Sequence, residues 1–169
     1  MAVTGAAAPK KVRRRVREDI VLDEVDHTIL RALAADARIP NNRLAAQAGV
    51  APSTCLMRVR RLQDAGVIRG FRAELAPEAL GRPLQAIVLV RLQAHARVRI
   101  GSFAQRFAEL PGVLNVFFLA GVNDFQIHLA ARSADDLRDF VVTNLSASRD
   151  VAITETNLIF EHFPGTTLA

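Results

Sequence analysis

The sequence predicts an α+β protein of two domains, a helical N-terminal domain and a C-terminal domain of order β-α-β-β-α-β. Apolar residues recur at helical spacing in residues 21–72, whereas after Leu84 they alternate or cluster as in strands. Residues 1–72 carry 14 Lys and Arg against 7 Asp and Glu, and the rest of the chain carries 8 against 10. This asymmetry indicates that only the first domain has a polyanionic partner.

The composition excludes several classes of protein. Half of the 169 residues are hydrophobic, which is enough for a buried core. No apolar run approaches the roughly 20 residues that span a bilayer, and residues 1–20 lack the apolar segment of a signal peptide. One cysteine and four scattered histidines argue against disulfides and zinc clusters. We expect a cytoplasmic protein with no metal, cofactor or membrane partner.

The N-terminus is predicted to be a disordered basic arm, residues 1–20. Its segment PKKVRRRVR, residues 9–17, holds six cations in nine positions and almost nothing that could pack. Such an arm is suited to lie along phosphates, or simply to keep the protein in solution. The remaining chain is divided into a helical domain, residues 21–72, a linker, residues 73–83, and the α+β domain, residues 84–169.

Two helices are predicted before Pro52. The first follows Asp23 as N-cap and carries an apolar stripe of Val25, Ile29, Leu30 and Leu33. The second is short, from Asn42 to Ala48, with Leu44, Ala45 and Ala48 facing inward. Asn41 is its expected cap, because Pro40 cannot continue a helix backwards. Gly49 then ends this helix.

A third helix is predicted within PSTCLMRVRRLQDAGVI, residues 52 to 68. Pro52 suits its first position and Gly66 its end. One face gathers Cys55, Leu56, Val59 and Leu62. The opposite face gathers Ser53, Met57, Arg60, Arg61 and Asp64, with Thr54 and Arg58 on the flanks.

A short helix, a glycine turn and a helix with one basic face form the helix-turn-helix pattern. For an isolated helix, a solvated surface would be the simpler interpretation of such a face. In this motif the second helix lies in the major groove, where arginine binds guanine or phosphate, so the face of residues 53–61 is expected to contact DNA. Residues 66–75, GVIRGFRAEL, alternate as a strand pair or wing that would bring Arg69 and Arg72 to the DNA backbone.

The second domain is predicted to be a ferredoxin-like βαββαβ fold. Strands are expected at residues 85–92, 113–121, 125–131 and 151–160. The first helix carries Ile100, Phe103, Phe107 and Leu110 and ends at Pro111-Gly112, and the second begins with a capping box at 133–136 and buries Leu137, Phe140 and Val141. The helices cover one sheet face only. The apolar residues of the other face predict self-association, and a dimer would place two recognition helices about one DNA turn apart.

These features resemble the Lrp/AsnC, or feast/famine, transcriptional regulators over residues 21–160. LDEVDHTILRALAADARI is similar to the opening helix of that family, and GVAPSTCLMRVRRLQDAGVIRGF to its recognition segment. The resemblance implies a sequence-specific DNA-binding regulator rather than an enzyme. It also implies that the second domain is the RAM module, which binds an effector and assembles the protein as a dimer or a tetramer of dimers.

The resemblance also implies site residues. DNA contacts fall on Ser53, Thr54, Met57, Arg58, Arg61 and, more weakly, Arg60, to which the wing adds Arg69. An effector, usually an amino acid, would bind between RAM domains near a Gly-Asp-x-Asp turn, here Gly121, Val122, Asn123 and Asp124, with Thr154 and Thr156 nearby. Val122 replaces the first aspartate of that turn. Asp124 would pair with a ligand ammonium, or Asn123 and Asp124 simply make the hairpin turn.

The sequence also departs from the family at helix starts. Ala51 stands where a capping serine is common, and Pro40 and Arg43 replace a capping box, which costs about 1 kcal/mol per lost cap.

Two alternatives remain open at this stage. Sirohaem decarboxylases are similar to this scaffold, but the four histidines, His27, His95, His128 and His162, are isolated and read better as surface residues. A nucleoid-type architectural binder would rely on the basic arm. No catalytic triad or phosphate-binding glycine loop supports an enzyme.

Overall fold

The computed structural model describes residues 20–163 and 165, and the chain divides into two compact units between Ala73 and Glu74. Of the predicted basic arm, residues 1–20, only Ile20 is among the described residues. The segment predicted as a linker contains a 3-10 turn, Glu78–Leu80. None of the helices in the described part of the chain has the length and apolar character needed to cross a membrane.

The N-terminal unit contains three helices, α1 (Glu24–Ala35), α2 (Asn41–Gln47) and α3 (Pro52–Asp64). The predicted N-cap at Asp23 is confirmed. Its carboxylate accepts a hydrogen bond from Asp26 N at 2.9 Å, and the Asp26 carboxylate accepts one from Asp23 N at 3.3 Å. This reciprocal capping box satisfies two backbone donors that a helix start leaves unpaired. The three helices bury one small cluster made of Ile29, Leu44, Ala45, Cys55 and Leu62.

The prediction that Asn41 caps α2 is wrong. Pro40 occupies the N-cap, with φ −60° and ψ 141°, and no side chain caps the helix. Helical conformation therefore starts at Asn41, whose side-chain amide donates instead to the Pro52 carbonyl at 2.9 Å. Asn41 thus links the start of α2 to the start of α3.

The glycine turn between α2 and α3 has the predicted role. Gly49 adopts φ +67°, in the left-handed region that glycine tolerates best. The Gly49 amide donates to the Ala46 carbonyl at 3.3 Å, and the Val50 amide donates to the Ala45 carbonyl at 3.0 Å. These are the two hydrogen bonds of a Schellman motif, which lets the chain reverse within a few residues.

Two expectations about α3 and the segment after it are wrong. Leu56 was placed on the buried face, yet it is 43% exposed. At 100° per residue it lies about 60° from Val59 and 120° from Leu62, outside the narrow stripe that touches the other helices. Residues 66–75 contain no strand, so no wing forms. An isolated two-stranded ribbon is marginal in water, and Phe71 and Leu75 of this segment remain exposed.

The C-terminal unit has the predicted ferredoxin-like βαββαβ topology. Its elements are β1 (Leu84–Leu92), α4 (Ile100–Ala108), β2 (Val113–Phe118), β3 (Phe125–Ala131), α5 (Ala134–Val141) and β4 (Val151–Ile159). All neighbouring strands are antiparallel, in the order β2-β3-β1-β4. The second strand is shorter than predicted, because it ends at Phe118 rather than residue 121.

Irregular turns extend both helices of this unit. A 3-10 segment, Ala94–Arg99, precedes α4, and a π-helical turn, Val142–Ser146, continues α5. The capping box predicted at the start of α5 is only half present. The Ser133 hydroxyl accepts from Asp136 N at 3.2 Å, but the Asp136 carboxylate accepts from Arg132 N at 2.9 Å. Hydrogen bonds from the Arg132 guanidinium, and secondly from Arg132 N, lower the pKa of Asp136 to about 2.

The core of this unit lies on one face of the sheet. Val88 and Val90 of β1 are fully buried there with Phe107 of α4, whose ring packs edge-on against Phe125 at 5.4 Å between centroids. The opposite face, which we call the open face, carries the alternate residues of β1 and their cross-strand partners. It includes Ile87, Leu89, Phe117, His128 and Ile153. The prediction that this face carries apolar side chains is therefore confirmed, and polar residues such as Gln126 and Glu155 lie among them.

His128 is a half-buried titratable side chain on the open face. Its ring nitrogens lie 3.0 Å from Gln85 Oε1 and 3.4 Å from Asn115 Nδ2. Partial burial, and secondly the charge of His162, lower the pKa of His128. A histidine with a lowered folded pKa binds its proton more readily in the unfolded chain. The stability that its neutral form contributes is therefore present above pH ~6.5 and lost as pH falls through the folded pKa.

We expect the urea midpoint of the protein to fall between pH 7.5 and pH 5.5. His128→Gln should make that fall smaller, because glutamine keeps hydrogen-bonding capacity and does not titrate. His27→Gln, in the other unit, serves as the matched control. An equal fall in wild type and His128→Gln would show that His128 does not drive it.

Candidate nucleic-acid interface

The exposed side of α3 forms a polar and basic surface along a shallow groove of about 830 Å³. The residues of α3 that line it are Ser53, Leu56, Met57, Arg60, Arg61 and Asp64. Ile20 and Val21, where the described chain begins, line the same groove. The predicted DNA-contacting residues of α3 are therefore mostly brought onto one face, with Thr54 half-buried at its edge.

The start of α3 is open to a ligand. Pro52 is the first helical residue, and the N-cap residue Ala51 has no side chain that could bond the free backbone amides. The positive end of a helix with unpaired amides attracts phosphate. The missing cap hydroxyl thus leaves the α3 N-terminus able to accept a DNA phosphate.

Arg58 does not project freely from α3. Its Nη1 atom lies 2.8 Å and 2.7 Å from the two carboxylate oxygens of Asp23 and 3.0 Å from Asp26 Oδ1. These hydrogen bonds raise the pKa of Arg58. The pKa of Asp23 is lowered, chiefly by the hydrogen bond that it accepts from Arg58. The Arg58 side chain is only 24% exposed. It joins the middle of α3 to the first turn of α1.

Arg61 shares one of these acids. Its Nη2 atom donates to Asp26 Oδ2, and Asp26 is completely buried. The Arg61 side chain remains 48% exposed and also lines the groove. Asp23 and Asp26 were not predicted as site residues, because they precede the arginines by 32 to 35 positions. Their acidic character in the first turn of α1 signalled only a helix start.

The remaining predicted contacts are Arg69 and Arg72. They lie in the irregular segment after α3 and are exposed. Since no wing forms, their positions are set by the chain that follows Gly66 rather than by a strand pair.

The predicted effector residues form the turn between β2 and β3. Leu119 N donates to Asp124 O at 2.9 Å, and Asp124 N donates to Val90 O at 2.9 Å. The Val122 side chain is exposed, and its carbonyl accepts from Arg91 Nε at 2.9 Å. Residues Gly121–Asn123 thus form the tip of a hairpin that is anchored to β1.

Asp124 is buried and already has partners. Its Oδ2 accepts a 2.7 Å hydrogen bond from Leu92 N, and its Oδ1 lies 3.1 Å from Arg97 Nε. Arg97 was not predicted, since only folding brings the 3-10 segment against the turn. Thr154 hydrogen-bonds Ser146 through its hydroxyl at 3.2 Å, while Thr156 is exposed on β4. Across residues 20–163 and 165, no group of three or more His, Cys, Asp or Glu is placed to hold a metal ion.

Both units match known families. The profile of the AsnC-type helix-turn-helix domain matches residues 22–63, and that of the Lrp/AsnC ligand binding domain matches residues 85–168. The chain is 54% identical over 160 residues to the HTH-type transcriptional regulator AldR of Mycobacterium tuberculosis, covering 95% of this chain and 87% of that protein. It is 39% identical to the leucine-responsive regulatory protein of Rhizobium meliloti, covering 82% and 89% of the two proteins.

Solved structures agree with these matches. A crystal structure of MtbAldR superposes with a TM-score of 0.74 at 52% identity, covering 85% of this chain and 95% of that one. A transcriptional regulator of Neisseria meningitidis in complex with L-Met gives 0.79 at 29% identity, covering 87% and 95%. All of these relatives are regulators, which supports regulation and gives no support to the tetrapyrrole alternative.

Proposed function

We propose that α3 binds specific sequences in promoter DNA and that an amino acid modulates this binding, because this chain belongs to the Lrp/AsnC family of transcriptional regulators. The protein is a helix-turn-helix transcriptional regulator with a ligand-binding domain. The observation that carries the proposal for α3 is its exposed face of Ser53, Met57 and Arg60, next to an uncapped helix N-terminus. We place this activity in the cytoplasm.

The exposed residues of α3 have complementary roles in this proposal. The Ser53 hydroxyl and the open α3 N-terminus contact phosphate, and Met57 contacts a thymine methyl group. Arg60 and Arg69 bind phosphates or guanine, with Thr54 at the edge of the surface. Arg58 and Arg61 take part through the donors that their contacts with Asp23 and Asp26 leave available.

The salt dependence of DNA binding tests this function. If about six phosphates are neutralised, operator affinity should fall roughly a thousandfold between 50 and 200 mM salt. Deleting residues 9–17 should lower the slope of log K against log salt by about 0.9 for each phosphate that the arm contacts, because its six cations are lost. The preference for the operator over unrelated DNA should persist, since phosphate contacts carry no sequence information. Fluorescence anisotropy with two duplexes of equal length measures both quantities.

The control replaces residues 9–17 with glycine and serine, so that length is kept and charge removed. Equal slopes with and without the arm would show that the arm does not bind phosphates. Loss of all binding on deletion would favour the architectural alternative. Binding by the wild type that ignores salt would contradict the proposed function itself.

We further propose that the protein acts as a homodimer, or as a tetramer of such dimers, joined through the open face. Ile87 and Leu89 lie at the centre of this face, and Phe117 is 49% exposed at its side. Such an apolar surface is usually covered by a partner. A twofold dimer would present two copies of α3 to half-sites about one DNA turn apart.

For the effector we propose an amino acid bound by the hairpin tip Gly121–Asn123, with Thr154 and Thr156 of β4 as further contacts. The ligand-binding domain of the family and the L-Met complex of a relative support this class. Since Leu92 N and Arg97 already engage Asp124, main-chain groups of the tip are the better candidates to hold the effector. Calorimetric titration of the full chain with individual amino acids tests this. If no amino acid gave a heat of binding to protein that still binds DNA, the effector proposal would be contradicted and the proposed DNA-binding function would not.

A further inference from the structure

We propose that Asp26 is a positioning residue for base readout, because it holds Arg58 and Arg61 by one terminal nitrogen each and fixes their remaining donors beside α3. The inference rests on the proposed DNA-binding function of α3. It gives a buried acid of α1 a role in specificity, although this acid itself never reaches the DNA.

Contacts at the start of α1 hold Asp26 in place independently of the two arginines. It lies in the first turn of α1, where its carboxylate closes the capping box with Asp23. It is completely buried, and both of its oxygens are used, Oδ1 by Arg58 and Oδ2 by Arg61. A buried carboxylate is tolerated only when it is paired in this way. The rigid start of α1 therefore defines where the two guanidiniums sit.

The arginines keep donors that Asp26 does not use. Among the described residues, Arg58 makes its acidic contacts through Nη1 alone, and Arg61 contacts Asp26 through Nη2 alone. A guanidinium has five N–H donors, so these contacts leave Nε and the other terminal nitrogen of each arginine available for an acceptor outside the protein. Both side chains are partly exposed, and residues three apart lie on one helix face.

Two physical effects would make this arrangement favour the correct sequence. A free arginine loses side-chain entropy when it is fixed on a base, and Asp26 removes part of that loss in advance. The negative charges of Asp26 and Asp23 also weaken the general attraction of the arginines to phosphate. Preorganisation favours the operator, whereas charge neutralisation disfavours unrelated DNA.

The test compares Asp26→Asn with the wild type on an operator selected from bound genomic DNA and on an unrelated duplex of equal length. Asparagine keeps the size of the side chain but cannot accept from both arginines as a carboxylate does. We expect the ratio of operator affinity to unrelated affinity to fall about tenfold, as for loss of one good base contact. Affinity for unrelated DNA should stay the same or rise, because one negative charge has been removed.

A role limited to stability would give a different pattern. Both affinities would then fall by one factor, together with the melting temperature, and the proposal would be overturned. An unchanged ratio in a folded variant would overturn it as well. Glu24→Gln provides the charge-matched control, since Glu24 is an exposed acid in the same first turn of α1, and its two affinities should change by the same factor.

Arg61→Lys keeps the experiment decisive if Asp26→Asn does not fold. Lysine preserves the charge but presents a single ammonium instead of a planar fork. Affinity for unrelated DNA should be kept while the operator ratio falls about tenfold. A ratio equal to that of the wild type would contradict the inference. A wild-type protein without any operator preference would instead contradict the proposed function.

Discussion

Replacing Ile29 with alanine is expected to unfold the N-terminal unit and abolish DNA binding while the C-terminal unit stays folded. Ile29 is completely buried in the small cluster with Leu44, Ala45, Cys55 and Leu62, so its loss leaves a cavity in the core of this unit. Large-to-small changes of this kind cost about 2–5 kcal/mol. A unit of this size has a total stability of roughly 3–8 kcal/mol, at 0.05–0.15 kcal/mol per residue. The substitution therefore removes much or all of the free energy of unfolding of the N-terminal unit.

Thermal unfolding can be monitored by circular dichroism. In Ile29→Ala the helical signal of the N-terminal unit should be lost at low temperature, while the transition of the C-terminal unit should match that of the wild type. The core of the second unit, built around Phe107 and Phe125, does not include Ile29. Ile29→Val is the matched control, because it removes one methyl group and costs about 0.5–1.5 kcal/mol. A single transition in which Ile29→Ala lowers both units together would contradict the independence of the two units.

Placing a glutamate at Ile87 is expected to prevent self-association without unfolding the chain. Ile87 lies on the open face opposite His128 of β3 and Asn157 of β4, and in the isolated subunit its side chain is only half-buried. In the proposed dimer the same carboxylate would be buried without a partner, which costs several kcal/mol per ion. A cost of about 3 kcal/mol already raises the dimer dissociation constant roughly a hundredfold.

DNA binding should weaken with assembly. Two linked recognition helices gain about 10² to 10⁴ in affinity over one, and a monomer loses that gain. Analytical ultracentrifugation at micromolar concentration measures the first effect, and anisotropy with a two-half-site operator measures the second. Val98→Glu adds the same charge at a nearly fully exposed position of the same unit and should change neither. A dimer of normal stability in Ile87→Glu would exclude the open face as the interface.

Local signals were sufficient for much of the architecture. Asp23 caps α1, Pro52 starts α3 and Gly49 makes the turn between helices, as their conformational preferences predict. The order of strands and helices in the second unit was likewise readable, because alternation and helical spacing depend on residues only a few positions apart. The ferredoxin-like topology follows from that order and from the antiparallel pairing it permits.

Predictions from the same local signals were wrong where a side chain contacts a residue distant in sequence instead of a neighbouring one. Asn41 was expected to cap its own helix but donates to Pro52, and Leu56 was expected to be buried but lies beside the groove. Periodicity identifies the apolar side of a helix, yet it does not reveal how wide a stripe the neighbouring helices cover. The prediction of a wing was wrong for a related reason. Alternating apolar residues indicate a possible strand, but they do not provide the second strand with which it would pair.

The sequence by itself determined a helix with a basic face joined to an antiparallel α+β domain, since these depend on contacts within a few residues. Only the tertiary structure decided what the charged groups on them do. Asp26 lies 32 and 35 positions from Arg58 and Arg61, and Arg97 lies 27 from Asp124. Pairing at such separations depends on how the elements pack, because any arginine has many acids within reach of its flexible side chain.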